Sequence, residues 1–424
     1  MAQKPRNLAA IDVGNQRVLA LIAELDERDQ LVIRGVGVAP SQGMRSGQVV
    51  QMKPVVAAIK DAVEEAEFMA KAPVVRVWAA VAGTFVSGRV TRAAITLGPR
   101  EREVESRDLE ALHLAAQRQP LPAGHTVLNV ITHAYSLDDQ DGILDPLDMV
   151  GRQLHIDAYV VACQESHLRT LEKAINAAGL VVDEFLFSPI AASLAVLTPD
   201  ERRLGALLLD IGYGTTSYAA FSGDRLLAAG CFPFGGNKLN DDLVHRFQTT
   251  AAGADKAKRE AATMFLADIG LDETVSLPTI DARGGHVVPR RALCETIRVR
   301  QQEVFELVLA DAMRQLPSDT PFTGIVLTGG GAHLDGIVAL AEEVFVQRAR
   351  LGELEGVADS THLLHSSELP SRSPAVAVGL LVYGRRVMTQ ETAGLARPRR
   401  HGGGLLNRIS KRLFAKKEVA HDHV

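Results

Sequence analysis

Apolar and polar positions along this chain fall into two copies of one unit. The segment "LAAIDVGNQRVLALIAEL" (8–25) reads as an apolar run, a polar turn at Gly14 and a second apolar run, which predicts a strand hairpin. The same pattern returns in "LGALLLDIGYGTTSYAAFSGDRLLAAG" (204–230). Each copy closes its first strand as Asp-x-Gly, with Asp12 and Asp210 in equivalent places 198 residues apart. Repetition of a supersecondary unit predicts a duplicated fold with two facing halves.

Helical spacing fills the stretches between. "VVAAIKDAVEEAEFMAKA" and "ESHLRTLEKAINAAG" place apolar residues on one face, the second with Leu168, Leu171 and Ile175 in line and Gly179 as a C-terminal stop. From about Arg76 to Val161, short strand-like runs surround one helix near "SRDLEALHLAAQRQ", which predicts a small inserted α+β unit. Farther on come a strand-poor basic patch, "DARGGHVVPRRAL", and a long helix, "VRQQEVFELVLADAMRQL". Then "FTGIVLTGGGAHLDG" reads as strand, triple-glycine turn and the start of a helix. The last folded element is expected at "SPAVAVGLLVYGRRV", after which Gly, Pro and Arg predict a flexible leash.

Beyond the leash the pattern changes once more. In "GGGLLNRISKRLFAKK" (402–417), Leu405, Leu406, Ile409 and Leu413 cover about 100° of a helical wheel and Phe414 widens the arc to about 180°. Arg408, Lys411 and Arg412 take the opposite side, while Lys416 and Lys417 lie at the end of the apolar arc, where long stems can snorkel. This is the pattern of a helix lying in a membrane interface, and it is also compatible with docking on a protein.

Charge sharpens that contrast. Residues 397–417 hold eight Lys or Arg and no acid, so the rest of the chain carries −13 to give the net −5. A length of 424 residues predicts two to four domains. Aromatics at 4% and an acidic body give single-stranded nucleic acid little to stack on. Cys163, Cys231 and Cys294 are isolated, which suits a reducing compartment. No export signal and no 18-residue apolar run is visible, so membrane contact is expected to be peripheral and from the cytoplasm.

The candidate chemistry lies in the glycine turns. Without a Cβ, backbone N–H groups can converge on phosphate oxygens, and such turns occur at Gly14, at Gly212 with Gly214, and at Gly329, Gly330 and Gly331. Two strand-end carboxylates facing each other, Asp12 and Asp210, suit a hydrated Mg²⁺ shared with phosphates. Thr215 and Thr216 add hydroxyls. The histidines stand mostly alone and lack metal-site spacing, and Ser193 and Ser217 have no nucleophile-elbow context.

Taken in order, "AAIDVG", "LLLDIGYGTTS" and "IVLTGGGAHLDG" resemble the phosphate 1, phosphate 2 and adenosine motifs of the actin, Hsp70 and sugar-kinase superfamily. "FSPIAASLAVLTPDER", "FPFGGNKLNDDL", "SPAVAVGLLVYG", the insertion and the tail narrow the resemblance, over residues 6–417, to the FtsA family of bacterial actin-like division proteins. It implies an α/β actin-like ATPase fold: duplicated ribonuclease H-like halves around a nucleotide cleft, with an inserted 1C-type α+β subdomain. On that pattern subdomain 1A takes 1–80, 158–198 and 372–390, and 1C takes 81–157. Subdomain 2A takes 199–236 and 317–371, 2B takes 237–316, the linker is 391–403 and the membrane helix is 404–417.

Carried over by position, the resemblance implies ATP and Mg²⁺ at Asp12, Gly14, Asn15, Gln16, Arg17, Asp210, Gly212, Gly214, Thr215 and Thr216. Gly235, Gly236 and Asn237 match a glycine step over the phosphates, Asp255 and Lys258 of "ADKAK" the ribose and base, and Gly329 to Gly331 the adenosine turn. Two departures stand out. Asn15 and Arg17 replace the usual small hydroxyl residue and lysine, though both can still donate to phosphate. Ser188 precedes Pro189 where active ATPases of the superfamily commonly carry glutamate, which leaves hydrolysis open.

Partners are implied too: the FtsZ C-terminal peptide at subdomain 2B, with Arg290, Arg291 and Arg300 as docking residues, further copies of the chain in filaments, anionic membrane, and other division proteins at the 1C-like block. The expected place is the cytoplasmic face of the cell membrane at the division site. An actin-like ATPase of type IV pilus assembly and a sugar-kinase-like enzyme are the alternatives.

Overall fold

The computed structural model describes residues 7–280, 284–318, 320, 323–357 and 374–392. β1 (Asn7–Val13), β2 (Arg17–Leu25) and β3 (Leu31–Pro40) form an antiparallel meander, and β4 (Arg76–Val81) returns beside β1 in parallel after α1 (Met52–Ala70). α1 buries Val55, Ala58, Ile59, Ala62 and Ala66, the i, i+3, i+4 stripe that its sequence spacing predicts. β2 is buried continuously from Val18 to Ala23, as expected of a strand covered on both faces.

The inserted unit follows, built from β5 (Val86–Thr96), α2 (Ser106–Gln117), β6 (His125–Leu137), β7 (Gln140–Ile143) and β8 (Gln153–Gln164), with strand order β7-β6-β8-β5. Alternation along β8 serves two cores. Leu154, Ile156, Ala158 and Val160 pack with α2, whereas Tyr159, Val161 and Cys163 face the main body. Two expectations shift here. Arg76–Val81, read as part of the inserted block, is a strand of the main sheet. The expected end of the insertion at 157 falls inside β8, because one strand spans both cores.

α3 (Glu165–Ala177) ends beside Gly179, whose φ is +94°, and β9 (Val181–Phe187) completes the first sheet in the order β3-β2-β1-β4-β9. After α4 (Ser188–Val196), the pattern repeats: β10 (Ala206–Ile211), β11 (Thr216–Ser222) and β12 (Arg225–Phe232) form a second antiparallel meander. An outer lobe comes next, of α5 (Gly236–Phe247), α6 (Ala251–Ala261), the hairpin β13 (Thr274–Pro278) with β14 (Gly285–Pro289), and α7 (Arg290–Gln315). The basic patch read as strand-poor is thus a strand followed directly by the helix: Pro289 holds an extended φ of −60° and ψ of 127°, and α7 starts at Arg290. β15 (Gly324–Thr328), α8 (Ile337–Phe345) and β16 (Ala349–Leu351) close the second sheet in the order β12-β11-β10-β15-β16.

The two sheets therefore have the same order and the same strand senses: an antiparallel meander, then two parallel strands. α9 (Ala375–Thr392) packs along β1 and against α4. Helix crossing is close because residue 379 is glycine: a Cβ there would overlap the Ala191 carbonyl. α4 also touches β10, β11 and β15, so it sits between the halves. Among the described residues no helix is long and apolar enough to cross a membrane.

Candidate functional site

The duplication extends to single hydrogen bonds. In the first hairpin the Gly14 N–H donates to the Arg17 carbonyl at 3.0 Å, and in the second the Gly212 N–H donates to the Thr215 carbonyl at 2.8 Å. Asp12 and Asp210 occupy the same strand-end position one residue from their turns, Asp12 opposite Leu19 and Asp210 opposite Ser217.

These turns meet. An ideal Cβ on Gly214 would lie 2.6 Å from Asn15 Nδ2 and 2.8 Å from its Oδ1, so Asn15 reaches from the first turn onto the second. Burial pushes the Asp12 carboxyl up to about 6, against the pull of the Arg17 guanidinium. Burial and the Asp12 charge together push Asp210 up to about 7. A pair of carboxylates that resist ionisation together is a place where a divalent cation is electrostatically favoured. Thr216 is buried and its hydroxyl donates to the Phe234 carbonyl at 2.7 Å, while Thr215, also buried, closes the second turn.

The remaining glycines wrap this turn. The Gly236 N–H donates to the Gly212 carbonyl at 3.0 Å and the Asn237 N–H to the Tyr213 carbonyl at 2.8 Å, which seats the start of α5 on the second hairpin. A Cβ at Gly235 would come within 2.6 Å of both the Gly212 and Tyr213 carbonyl oxygens. Gly329 takes φ +83°, and a Cβ there would lie 2.5 Å from Asp210 Oδ1. Gly330 and Gly331 continue the turn, Gly330 beside open space and Gly331 against Ile211.

Lys258 and Asp255 come in from α6. Lys258 Nζ donates to the Gly236 carbonyl at 3.0 Å, pairs with Asp255 at 3.1 Å and lies 5.6 Å from the Tyr213 ring centroid. Burial lowers the Lys258 pKa while Asp255 opposes the shift. Asn240 Nδ2 donates to Asp255 Oδ1 at 3.0 Å, and the Oδ1 atoms of Asn237 and Asn240 are buried with no partner. Tyr213 and Asn240 were missed from the sequence. The one signal for Tyr213 is its place between Gly212 and Gly214.

The first-sheet, second-sheet, glycine-step and α6 residues thus come together around the two turns. The geometry suits a phosphorylated ligand with a hydrated cation: close-packed glycines and two coupled carboxylates, with the two buried amide oxygens open to hydroxyl or water donors. Ser188 is buried, and its hydroxyl donates to the Val81 carbonyl at 3.0 Å.

The three arginines contact none of these turn residues, and each is already paired with an acid. Arg290 pairs with Glu273 at 2.7 Å and donates to the Ala261 carbonyl, Arg291 pairs with Glu295 at 3.2 Å, and Arg300 bonds Asp242 at 2.6 Å and also pairs with Glu303. Arg300 lines a groove of about 660 Å³ between α5 and α7, with three acids, Asp242, Glu295 and Glu303, beside His245, Arg246 and Val299, so the partner of Arg291 borders it too. Arg246, which no motif singles out, adds a second cation there. The tail positions Leu405 to Lys417 lie outside the described residues.

Comparison with known proteins decides the family. Residues 83–162 match the SHS2 domain inserted in FtsA, and residues 207–380 match the cell division protein FtsA. The FtsA of Pseudomonas aeruginosa is 33% identical over 384 residues, 90% of each chain. This chain belongs to the FtsA family of cell division proteins. FtsA of Neisseria meningitidis is 30% identical over 420 residues, 97% of this chain and 99% of its own. Among solved structures, the PilM-PilN type IV pilus biogenesis complex aligns with TM-score 0.62 at 18% identity, covering 89% of this chain and 98% of the other. MreB5 of Spiroplasma citri bound to ADP aligns at 0.53 and 12%, covering 92% and 98%. These likenesses establish the actin-like fold. FtsA membership also displaces the pilus-assembly and sugar-kinase alternatives.

Proposed function

We propose that this FtsA-family chain binds ATP with Mg²⁺ in the cleft, assembles into filaments on the cytoplasmic face of the cell membrane and tethers FtsZ there at the division site. The observation that carries the reading is the facing pair of identically closed Asp-x-Gly turns with electrostatically coupled carboxylates. Asp12 and Asp210 would hold the cation through water. The turn N–H groups from Asn15 to Arg17 and from Tyr213 to Thr216 would take phosphate oxygens, with Gly14 and Gly212 closing the turns, Gly235 to Asn237 would cover them, and Asp255, Lys258 and Gly329 to Gly331 would take the nucleoside. Mg²⁺ supplies charge neutralisation to the phosphates when bound. With Ser188 bound to a main-chain carbonyl where a carboxylate would orient water, slow or absent hydrolysis fits best.

For FtsZ, the α5/α7 groove offers Arg246 and the exposed Val299 to a peptide that is acidic and apolar, and Arg300 would join them on exchanging Asp242 and Glu303 for the peptide's acids. Arg290 and Arg291 would contribute only by exchanging their present acidic partners. For the membrane, each Lys or Arg of the tail adds about 1 kcal/mol near an anionic surface, with leucine burial supplying the rest. Other division proteins would dock on the inserted unit.

The test combines these parts. Full-length protein on an anionic lipid monolayer with Mg-ATP is expected to form filaments by electron microscopy and to retain a labelled FtsZ C-terminal peptide. Filaments without nucleotide dependence would remove the cleft from the proposal, and loss of peptide retention would remove the groove.

A further inference from the structure

α1 and α9 cover opposite faces of the first sheet. Ala9, Ile11 and Val77 lie against Val63 and Ala66 of α1, while Leu8 and Trp78 lie against Gly384 of α9. Both helices run toward the Asn7 end of β1. α1 does so because it hands the chain to β4, which starts at Arg76 and runs parallel to β1. α9 does so past Gly384, where the charge of Asp29, in the turn between β2 and β3, acts on Arg385.

The outer side of α1 at this end combines acids with bare apolar surface. Asp61, Glu64 and Phe68 fall on one exposed stripe at i, i+3 and i+7, and Phe68 is 88% exposed. Met69, Val75 and Val181 are exposed around the same end, where the Val181 N–H donates to the Val75 carbonyl at 2.8 Å. Two neighbouring acids are committed to backbone: Glu65 accepts the Val38 N–H at 2.7 Å, and Glu67 the Val74 N–H at 2.6 Å. Asp61 and Glu64 make no ion pair among the described residues. Such a ridge fits a partner that brings cations and an apolar side together.

We propose that the ridge is a docking site for the chain's own segment 404–417, holding it off lipid until a membrane competes for it. That segment carries five Lys or Arg and no acid, and its sequence puts Leu405, Leu406, Ile409, Leu413 and Phe414 on one side of a helical wheel. Its cations answer Asp61 and Glu64, and its apolar side answers Phe68 and Met69. The reach suffices. Residues 393–403 separate the segment from the end of α9, and a chain of that length spans about 18 Å as a coil and up to about 36 Å when stretched. Helices packed on opposite faces of a sheet stand roughly 20 Å apart. The inference shares its segment with the proposed membrane anchor, and its test separates the two.

Two measurements on the full chain decide it. With Met69→Cys and Ser410→Cys together, mild oxidation without lipid is expected to give a disulfide within one chain, seen as a shifted monomer band in a non-reducing gel. Ser410→Cys alone, which reads reaction with the native cysteines, is expected to give none, and so is Leu271→Cys with Ser410→Cys, whose first position is 90% exposed on the outer lobe. No disulfide in the first protein would overturn the docking, and one joining two chains would assign the ridge to a second copy and overturn docking within the chain. In flotation with anionic liposomes, Phe68→Ser is expected to bind about fivefold more tightly than wild type, the gain when about four-fifths of the segments start out docked. Measurable but unchanged binding would overturn the proposal, and weaker binding would overturn it by placing Phe68 itself in lipid. A disulfide within one chain in a protein that neither as wild type nor as Phe68→Ser binds liposomes would remove the anchor and leave the docking standing.

Discussion

Asp210 is the residue whose environment most clearly works against its own charge. Burial and the neighbouring Asp12 raise its folded pKa from 3.8 to about 7, so the fold binds its proton more tightly than the open chain does. The resulting stabilisation is fully present below about pH 4 and is lost as pH rises through about 7. Asp210→Asn is therefore expected to be more stable than wild type at about pH 8, by up to about 4 kcal/mol, with the difference closing toward about pH 4. Urea titrations at the two pH values check this. A gap that widens toward acid would contradict the stated environment. The Asp-x-Gly turns were legible in the sequence because their chemistry is local: a strand, an acid and a glycine within three positions. Asn240, which holds Asp255 from α5, was not, since it joins the site only when two helices pack.

At the scale of elements, one hydroxyl bridges the joint between insertion and second half. Tyr159 of β8 accepts the Ala229 N–H of β12 at 2.8 Å, at the edge of the second sheet. Tyr159→Phe leaves that buried N–H without a partner and is expected to cost about 2 kcal/mol in urea denaturation. The other exacting joint is the crossing of α4 and α9. Gly379→Val would drive a side chain into the Ala191 carbonyl, with an expected loss of about 3 kcal/mol and an early thermal transition by calorimetry. Neither joint can be read from spacing, because each unites residues that are distant in sequence. Helices with clean periodicity, such as α1 and α3, were legible. The start of α7 was not: Pro289-Arg290-Arg291 looks like a loop until the preceding strand is paired with Thr274–Pro278.

For the whole molecule, sequence repetition anticipated two halves, and the identical sheet orders make the duplication literal. What repetition could not anticipate was where the tail's root sits relative to the cleft. The proposed anchor predicts that Leu413→Glu or Phe414→Glu releases the protein from anionic liposomes in flotation assays, while nucleotide affinity stays within about twofold. Because one short helix binds reversibly, filaments are expected to hold far better than single copies. α9 begins near Ala191, at the turn end of the first sheet, and passes Gly384 packed on Leu8 and Trp78, toward the opposite end. The end of α9 and the Gly14 turn thus lie toward opposite ends of β1, about 20 Å apart. For the anchor proposed at residues 404–417, this means that a short leash would leave the proposed nucleotide turns on the side of the body away from the lipid, and a long one would leave them free to face either way.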